Sequence, residues 1–514
     1  MDGSEKTSQD WGHFHRPLFA DPKSRDLSRV GVIDVGSNSV RLVVFDGAAR
    51  SPAYFFNEKV MCALGAGLAD TGNLSPEGRI RALAALRRFC TIAKDIGLPD
   101  LTAVATAAVR EAKDGSDFVG QVLAETGLKI HVIDGSEEAR LSAQGVLLGW
   151  PGAYGLVCDI GGASMELAEI SNGQVGKRMT SQLGPLRLAS IKGGKQGRKK
   201  VISESLEGLR AQLGQQSDRL FLVGGSWRAI ARIDMQRRDY PLHVMHEYRM
   251  TPRDIRETSE YIKANNQDHL RKLAGVSSAR MDLVPIAIDV LKGILRHFKP
   301  HDIAVSSYGI REGLLYEHMP QAMRDRDPLI ESCRFAERKD ARLPGFGVRL
   351  HKFIAPLFPK ITVDRERLIH AACLLHDVSW RAHSDFRGEV CFEYATRANL
   401  GGLRHRERVF LGLALLHRYR NNREGTRFEA LLSLLSEVDL KQAEVLGKAM
   451  RLGAMLWANS DDDTAKIVWA PKRMKLSLTL TAEAYPLFGE VAEARFEALA
   501  SALNATTQVD MKLT

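Results

Sequence analysis

Two stretches of this chain repeat one another. Asp34-Val35-Gly36-Ser37-Asn38-Ser39-Val40-Arg41-Leu42 lies in register with Asp159-Ile160-Gly161-Gly162-Ala163-Ser164-Met165-Glu166-Leu167, with Asp, Gly, Ser and Leu at shared offsets. A short apolar run leads into each copy (Val30 to Ile33; Leu156 to Cys158), an alternating run leads out, and a turn signal follows (Asp46-Gly47; Asn172-Gly173). The pattern reads strand, turn, strand, turn in both places. One strand–glycine–strand turn is commonly only a turn; the same order met twice points to two similar domains. Glycines in the turn let backbone N–H groups approach an anion, Ser164 adds a hydroxyl, and the Asp159 and Glu166 carboxylates suit a hard cation such as Mg²⁺. Two such turns facing one cleft can hold a phosphate chain from both sides.

The chain has 514 residues, too many for one core, so about two to four domains are expected. Its formal net charge of +10 favours polyanionic partners without naming one. Six cysteines with no CxxC pair argue against a zinc ribbon or a disulfide framework and for a reducing, cytoplasmic setting. No signal peptide is recognisable, and no stretch is long and apolar enough to span a membrane.

Along the chain, residues 1–29 read as a mobile arm and 30–150 as a first α/β domain. Its first hairpin runs to Phe45, and a polar, glycine-rich stretch extends to Asn73. Ser75 and Pro76 then start a helix that stops at Gly97. A strand follows from Leu101 to Thr106, a helix from Ser116 to Glu125, a strand from Lys129 to Ile133, and a helix capped by Ser136 that carries Glu137, Glu138 and Arg140. Residues 151–324 read as the second copy, with a basic run from Lys192 to Lys200, a strand Arg219 to Val223 ending in Gly224-Gly225-Ser226, and a last strand Asp302 to Ser306. Residues 325–514 read as a mostly helical domain joined through Pro320 to Pro344, with one strand at Lys475 to Leu480.

With these pieces placed, the chain resembles the exopolyphosphatase and guanosine pentaphosphate phosphohydrolase family. The matching motifs are VIDVGSNSVRLVV, ATAAVREA, GSEEARL, DIGGASMEL, FLVGGSWRAIA and SSYGIREGLLYE, in order from Val30 to Glu317. The resemblance implies an α/β fold of two actin-like, ribonuclease-H-like lobes around a cleft, followed by a helical, HD-like C-terminal domain with the pair His376-Asp377. Two departures are visible: Ala163 stands where the family has a third glycine, and Ser226 where it has threonine.

The resemblance implies that Glu138 is the catalytic base, and its place in a first helical turn, where the helix dipole favours a carboxylate, agrees; Glu137 is the adjacent alternative. Asp159 and Glu166 are assigned to Mg²⁺ or Mn²⁺, with K⁺ as a possible activator, and Asp34 either to metal or to anchoring its turn. Gly36, Ser37, Asn38, Ser39, Gly161, Gly162, Ser164, Ser226 and Arg110 are expected to meet phosphoryl oxygens. Arg41 and Arg311 are weaker candidates, equally explained by intramolecular ion pairs. Lys199, in the basic run, is a candidate for guiding a polyanion or simply part of a solvated loop.

A second site at His376-Asp377 needs further ligands. His351 is a candidate, and Asn459 stands where a distant Asp is sought, with Asp461 to Asp463 out of phase; a degenerate binding or dimerisation domain is the favoured reading.

The implied reaction is hydrolysis of a terminal phosphoanhydride, which rests on positioning and charge neutralisation. The expected substrate is inorganic polyphosphate, acted on by an exopolyphosphatase that is a cytoplasmic homodimer with no nucleic-acid partner. The alternatives are a guanosine pentaphosphate 5′-phosphohydrolase that yields the tetraphosphate of the stringent response, a kinase or ATPase of the same superfold, and a non-catalytic polyphosphate or alarmone sensor.

Overall fold

The duplication seen in the sequence is a duplication of sheets. In the computed structural model, which describes residues 25–98, 101–214, 218–456 and 465–512, the chain divides into two compact units at Arg326 and Asp327.

In the first unit, β1 (Asp26–Val35), β2 (Ser39–Ala48), β3 (Ser51–Met61), β4 (Leu101–Ala105) and β5 (Ile130–Val132) form one sheet in the order β3-β2-β1-β4-β5. The second sheet contains β6 (Gly155–Ile160), β7 (Met165–Ser171), β8 (Gln174–Ser181), β9 (Arg219–Val223), β10 (Tyr248–Met250) and β11 (Asp302–Val305), ordered β10-β11-β9-β6-β7-β8. Each sheet is an antiparallel meander of three strands extended by two parallel strands, and in the second sheet β10 adds an antiparallel edge on β11. The parallel additions require crossover helices, and those helices supply the layers that bury both sheet faces.

One such layer lies between the sheets. The helices Gly135–Gly149 and Ile310–Glu317 share a core with Val30, Val32, Val43, Val157, Ala168, Phe221 and Ala304, residues from the inner faces of both sheets. The two helices approach closely at glycine: a Cβ on Gly313 would fall 1.8 Å from the Leu141 carbonyl oxygen, and one on Gly145 would fall 2.2 Å from that of Gly309. The outer faces are covered by the Pro76–Asp95 helix on one side and by the Gly194–Leu213 and Val284–Phe298 helices on the other. Gly135–Gly149 also packs on β7 and β8, so the helix that closes the first repeat is part of the second sheet's cover.

Several expectations change here. Residues 1–24 of the expected arm lie outside the described residues, and the rest of it is already strand: Leu27 is buried and pairs with Gly47. The polar, glycine-rich stretch after Phe45, to which no element was assigned, contains the long strand β3, paired along β2 from Ser51 to Met61. The cap of the Gly135–Gly149 helix is Asp134, whose side chain accepts from the Glu137 N–H at 2.8 Å, so the helix begins earlier than a Ser136 cap implied. The expected junction from Pro320 to Pro344 is largely helical, because Asp327 caps and Pro328 opens a helix running to Asp340.

The second unit is mostly helical, with its longest helix at Glu437–Leu456. It also holds a sheet of β12 (Ala465–Ala470), β13 (Lys475–Thr481) and β14 (Thr506–Lys512), where one strand was expected. β13 alternates along its whole length between buried and half-buried residues, and β12 alternates over its first four; the sequence of β14, TTQVDMK, has no such pattern. No helix among the described residues is long and apolar enough to cross a membrane.

Candidate active site

The two repeated turns are the same structure. Gly36 N–H donates to the Ser39 carbonyl at 3.0 Å, and Gly161 N–H donates to the Ser164 carbonyl at 3.0 Å. They also meet: a Cβ on Gly162 would lie 3.3 Å from Ser37 Cβ. Together they line a polar cleft that also receives Asp34, Asn38, Arg41, Lys59, Glu138, Asp159, Ser226, Arg228, Arg280, Tyr308 and Arg311.

Strand register explains how the two halves differ. Across the first meander Asp34 stands opposite Arg41, and Arg41 opposite Lys59. Across the second, Asp159 stands opposite Glu166, and Glu166 opposite Thr180. Directly opposed residues share a sheet face, so the same three slots hold Asp-Arg-Lys in one lobe and Asp-Glu-Thr in the other. Of these two rows, the first meander's is the more basic and the second's the more acidic.

The acidic side is held together by the Gly135–Gly149 helix. Ser142 Oγ donates to Asp159 Oδ2, and Ser142 lies one turn beyond Glu138, on the same helix face. Glu138 is 5% exposed, and its Oε2 accepts from Arg110 Nη1 at 3.2 Å, while Nη1 also reaches the Ile133 carbonyl at 2.8 Å. Burial, and then the charge of Asp159, push the Glu138 carboxyl up to about 8, against the pull of Arg110. Burial raises Asp159 as well, with Ser142 opposing, and burial raises Glu166 strongly, followed by the charges of Glu138 and Asp159. Glu166 is 1% exposed and does not line the cleft; Oε1 accepts from Thr180 Oγ1 at 3.2 Å, and Oε2 is buried without a partner.

This crowding of carboxylates, with one buried oxygen unsatisfied, fits an oxygen-seeking divalent cation, to which Asp159 at the cleft wall and Glu166 beneath it would offer oxygens. Among the described residues no three His, Cys, Asp or Glu side chains form a ready-made ligand set.

On the basic side, Arg41 donates to Asn57 Oδ1 at 2.8 Å and Arg228 to the Gly224 carbonyl at 3.2 Å. Burial, and then the neighbouring Arg311 and Arg228, lower Arg41 to about 10. Arg311 is 7% exposed, with Nη1 buried and unpartnered. Among the described residues none of Arg41, Lys59, Arg228, Arg280 and Arg311 is ion-paired, so the ion pairs considered for Arg41 and Arg311 are not formed. Gly224, with φ +116°, lets this wall approach the acidic one: a Cβ there would sit 2.5 Å from the Ile160 carbonyl and 3.2 Å from Asp159 Oδ1.

Other expected residues lie elsewhere. Glu137 pairs with Arg140 at 2.5 Å, and Arg140 with Glu317 at 2.5 Å, away from the cleft lining. Arg110 stands behind Glu138 and is not part of the lining. Lys199 is exposed on the Gly194–Leu213 helix. In the second unit, His376 Nδ1 lies 2.8 Å from the Cys373 carbonyl, and Asp377 is gripped by Arg342 through contacts of 2.6 and 2.9 Å. His351 stacks on His370 at 4.6 Å, and Asn459 and Asp461 to Asp463 lie outside the described residues. Lys59, Arg228 and Arg280 were missed. Lys59 carried a usable signal, the run Tyr54-Phe55-Phe56-Asn57-Glu58-Lys59-Val60 rich in aromatic residues, whereas nothing around Arg280 marks it.

The fold and the cleft define a two-lobed phosphate-handling protein. The Ppx/GppA phosphatase family model matches residues 43–322, more than half of the chain, and the chain belongs to that family. The model described as exopolyphosphatase, C-terminal, matches residues 349–508.

The chain is 26% identical over 446 residues to Retrograde regulation protein 2 of Saccharomyces cerevisiae, covering 78% of this chain and 74% of that one. It is 26% identical over 318 residues to Exopolyphosphatase 1 of Mycobacterium bovis, covering 59% of this chain and 92% of that one. A crystal structure of an exopolyphosphatase from Cytophaga hutchinsonii aligns with TM-score 0.53 at 24% identity, over 57% of this chain and 98% of that one. The Aquifex aeolicus Ppx/GppA family member aligns with TM-score 0.50 at 23% identity, over 58% and 99%. These likenesses establish the actin-like fold expected from the sequence.

Proposed function

We propose that the protein is an exopolyphosphatase that releases terminal phosphate from inorganic polyphosphate with Mg²⁺ or Mn²⁺ as cofactor. The observation that carries this reading is the set of five cations, Arg41, Lys59, Arg228, Arg280 and Arg311, lining the cleft that also receives Glu138 and both glycine turns, with no carboxylate paired to any of them. A cluster of like charges is tolerated where a polyanion comes to neutralise it. The one aromatic ring among the described lining residues, Tyr308, is 2% exposed and packed on His246, so it offers no open face to a purine.

In this reading the turn amides and the hydroxyls of Ser37, Ser39, Ser164 and Ser226 hold the terminal phosphoryl group. Glu138 aims a water at its phosphorus and takes the proton, a role for which a pKa near working pH is suited. Arg110 fixes the carboxylate's orientation. A divalent cation at Asp159 and Glu166 would supply charge neutralisation for the phosphoryl oxygens and relieve the crowding of carboxylates.

The test is phosphate release from long-chain polyphosphate and from guanosine pentaphosphate by one preparation, with and without Mg²⁺. Release from the nucleotide alone would replace this reading by the alarmone phosphohydrolase. Tight binding of polyphosphate with no turnover would replace it by a sensor.

A further inference from the structure

The basic side of the cleft is set apart from the acidic side along one line. Asp34, Arg41 and Lys59 stand in a row across β1, β2 and β3, on one face of the sheet. Two strand spacings place Lys59 about 10 Å from Asp34, Cα to Cα. The charges that act on Glu138 are Asp159, Arg110 and Asp34; those that act on Lys59 are Arg280, Arg228 and Arg41, with Asp34 last. Lys59 and Glu138 thus line one cleft among different nearest charges, with Asp34 acting on both.

Resting on the polyphosphate reading above, we propose that Lys59 holds the phosphoryl groups that trail behind the one being released, and so determines the preference for long chains over short ones. Lys59 lines the cleft and stays accessible to solvent, and its amine makes no hydrogen bond or ion pair within the described residues. Its amine faces Arg41 from β2, Asp34 from β1, Arg228 from the Gly225–Arg237 helix, and Arg280 from the turn at Ser278–Met281.

Three guanidinium groups around an unpartnered amine repel it unless an anion lies among them. A chain that ends at the acidic side and extends along the row supplies that anion. The surrounding protein, and then Arg280, Arg228 and Arg41, push the Lys59 amine down to about 7. A polyanion favours the charged form and raises that value, so binding of a long chain at pH 8 draws a proton from solvent onto Lys59.

The experiment compares wild type, Lys59→Met and Lys59→Arg on tripolyphosphate and on long-chain polyphosphate, with Mg²⁺ present. Calorimetry of long-chain binding at pH 8, in two buffers of different ionisation heat and in a Glu138→Gln background, counts the protons taken up. Lys59→Met is expected to lower kcat/KM for the long chain about tenfold more than for tripolyphosphate, and to abolish the Lys59-dependent proton uptake. Lys59→Arg, charged at every working pH, is expected to restore the chain-length preference but not the proton uptake.

Equal losses on both substrates, or no loss on either, would overturn the proposal while leaving the polyphosphatase reading intact. A wild type that neither binds nor cleaves polyphosphate overturns both.

Discussion

Arg110 Nη1 donates both to the Glu138 carboxylate, at 3.2 Å, and to the Ile133 carbonyl, at 2.8 Å, so the guanidinium is braced by the backbone at the end of β5 while it steadies a buried carboxylate. Arg110 lowers the Glu138 pKa against burial and Asp159. Arg110→Met is therefore expected to move the acid limb of the kcat/KM profile upward by roughly 1–3 pH units. A limb that stays in place would show that Glu138 does not titrate in the catalytic step.

Glu138→Gln is expected to lower kcat by roughly 10²–10⁴-fold. Its effect on stability has a definite sign. The folded pKa of Glu138, about 8, lies above the ordinary glutamate value of 4.5. The native state thus binds the extra proton between those values, and stability falls as pH rises through that window. The Gln variant lacks this loss, so its melting temperature should exceed that of wild type above pH 8 and match it near pH 4. Parallel melting curves at pH 4.5 and 8.5 check this.

Gly162 is where the two turns touch. A Cβ there would lie 2.8 Å from Leu186 Cδ1 and 3.3 Å from Ser37 Cβ. Gly162→Val should hold the loops apart and lower kcat/KM by roughly 10²-fold, the scale of a 1 Å misplacement, with little change in melting temperature. Steady-state kinetics beside thermal denaturation separates the two effects.

Gly313 is a stability position. A side chain at 1.8 Å from the Leu141 carbonyl oxygen meets backbone that cannot yield without shifting a helix. Gly313→Ala is expected to cost about 1–3 kcal/mol or more in chemical denaturation.

In the second unit, Arg342 holds the Asp377 pKa below its usual value against the effect of burial. Stability from this pair is present above pH 3.8 and fades as pH falls through the lowered folded value. Asp377→Asn should lower the melting temperature at pH 7, with the difference shrinking under strong acid. Phosphate release should stay within about twofold, because the cleft that receives Glu138 belongs to the first unit. Loss of turnover with an unchanged melting curve would give His376 and Asp377 a chemical role instead.

The sequence made the turns readable because their chemistry is local: Asp, Gly and Ser at fixed offsets make the same loop wherever they occur, and Gly36–Ser39 and Gly161–Ser164 close through the same hydrogen bond. The helix that Ser75 caps, the strand Arg219–Val223 and the position of Glu138 in its helix were readable for the same reason. β3 escaped because its exposed face carries the apolar Phe55 and Met61 while Glu58 lies on its more covered face, so hydrophobic alternation is weak there and pairing with β2 supplies the order. β14 is held by β13 with almost no apolar signal of its own.

Sequence alone determined that this chain carries two phosphate-type turns, a carboxylate in a first helical turn, and a separate helical region, since each depends on neighbours a few residues apart. Only the tertiary structure decided which charges share the cleft. Lys59 and Arg280 reach it from segments more than two hundred residues apart, Arg110 turns away from the lining to hold Glu138, and Asp377 is occupied by Arg342. The reason is physical: charge pairing and cross-strand register are set by packing between distant segments, and a sequence read along its length carries no direct record of which segments meet.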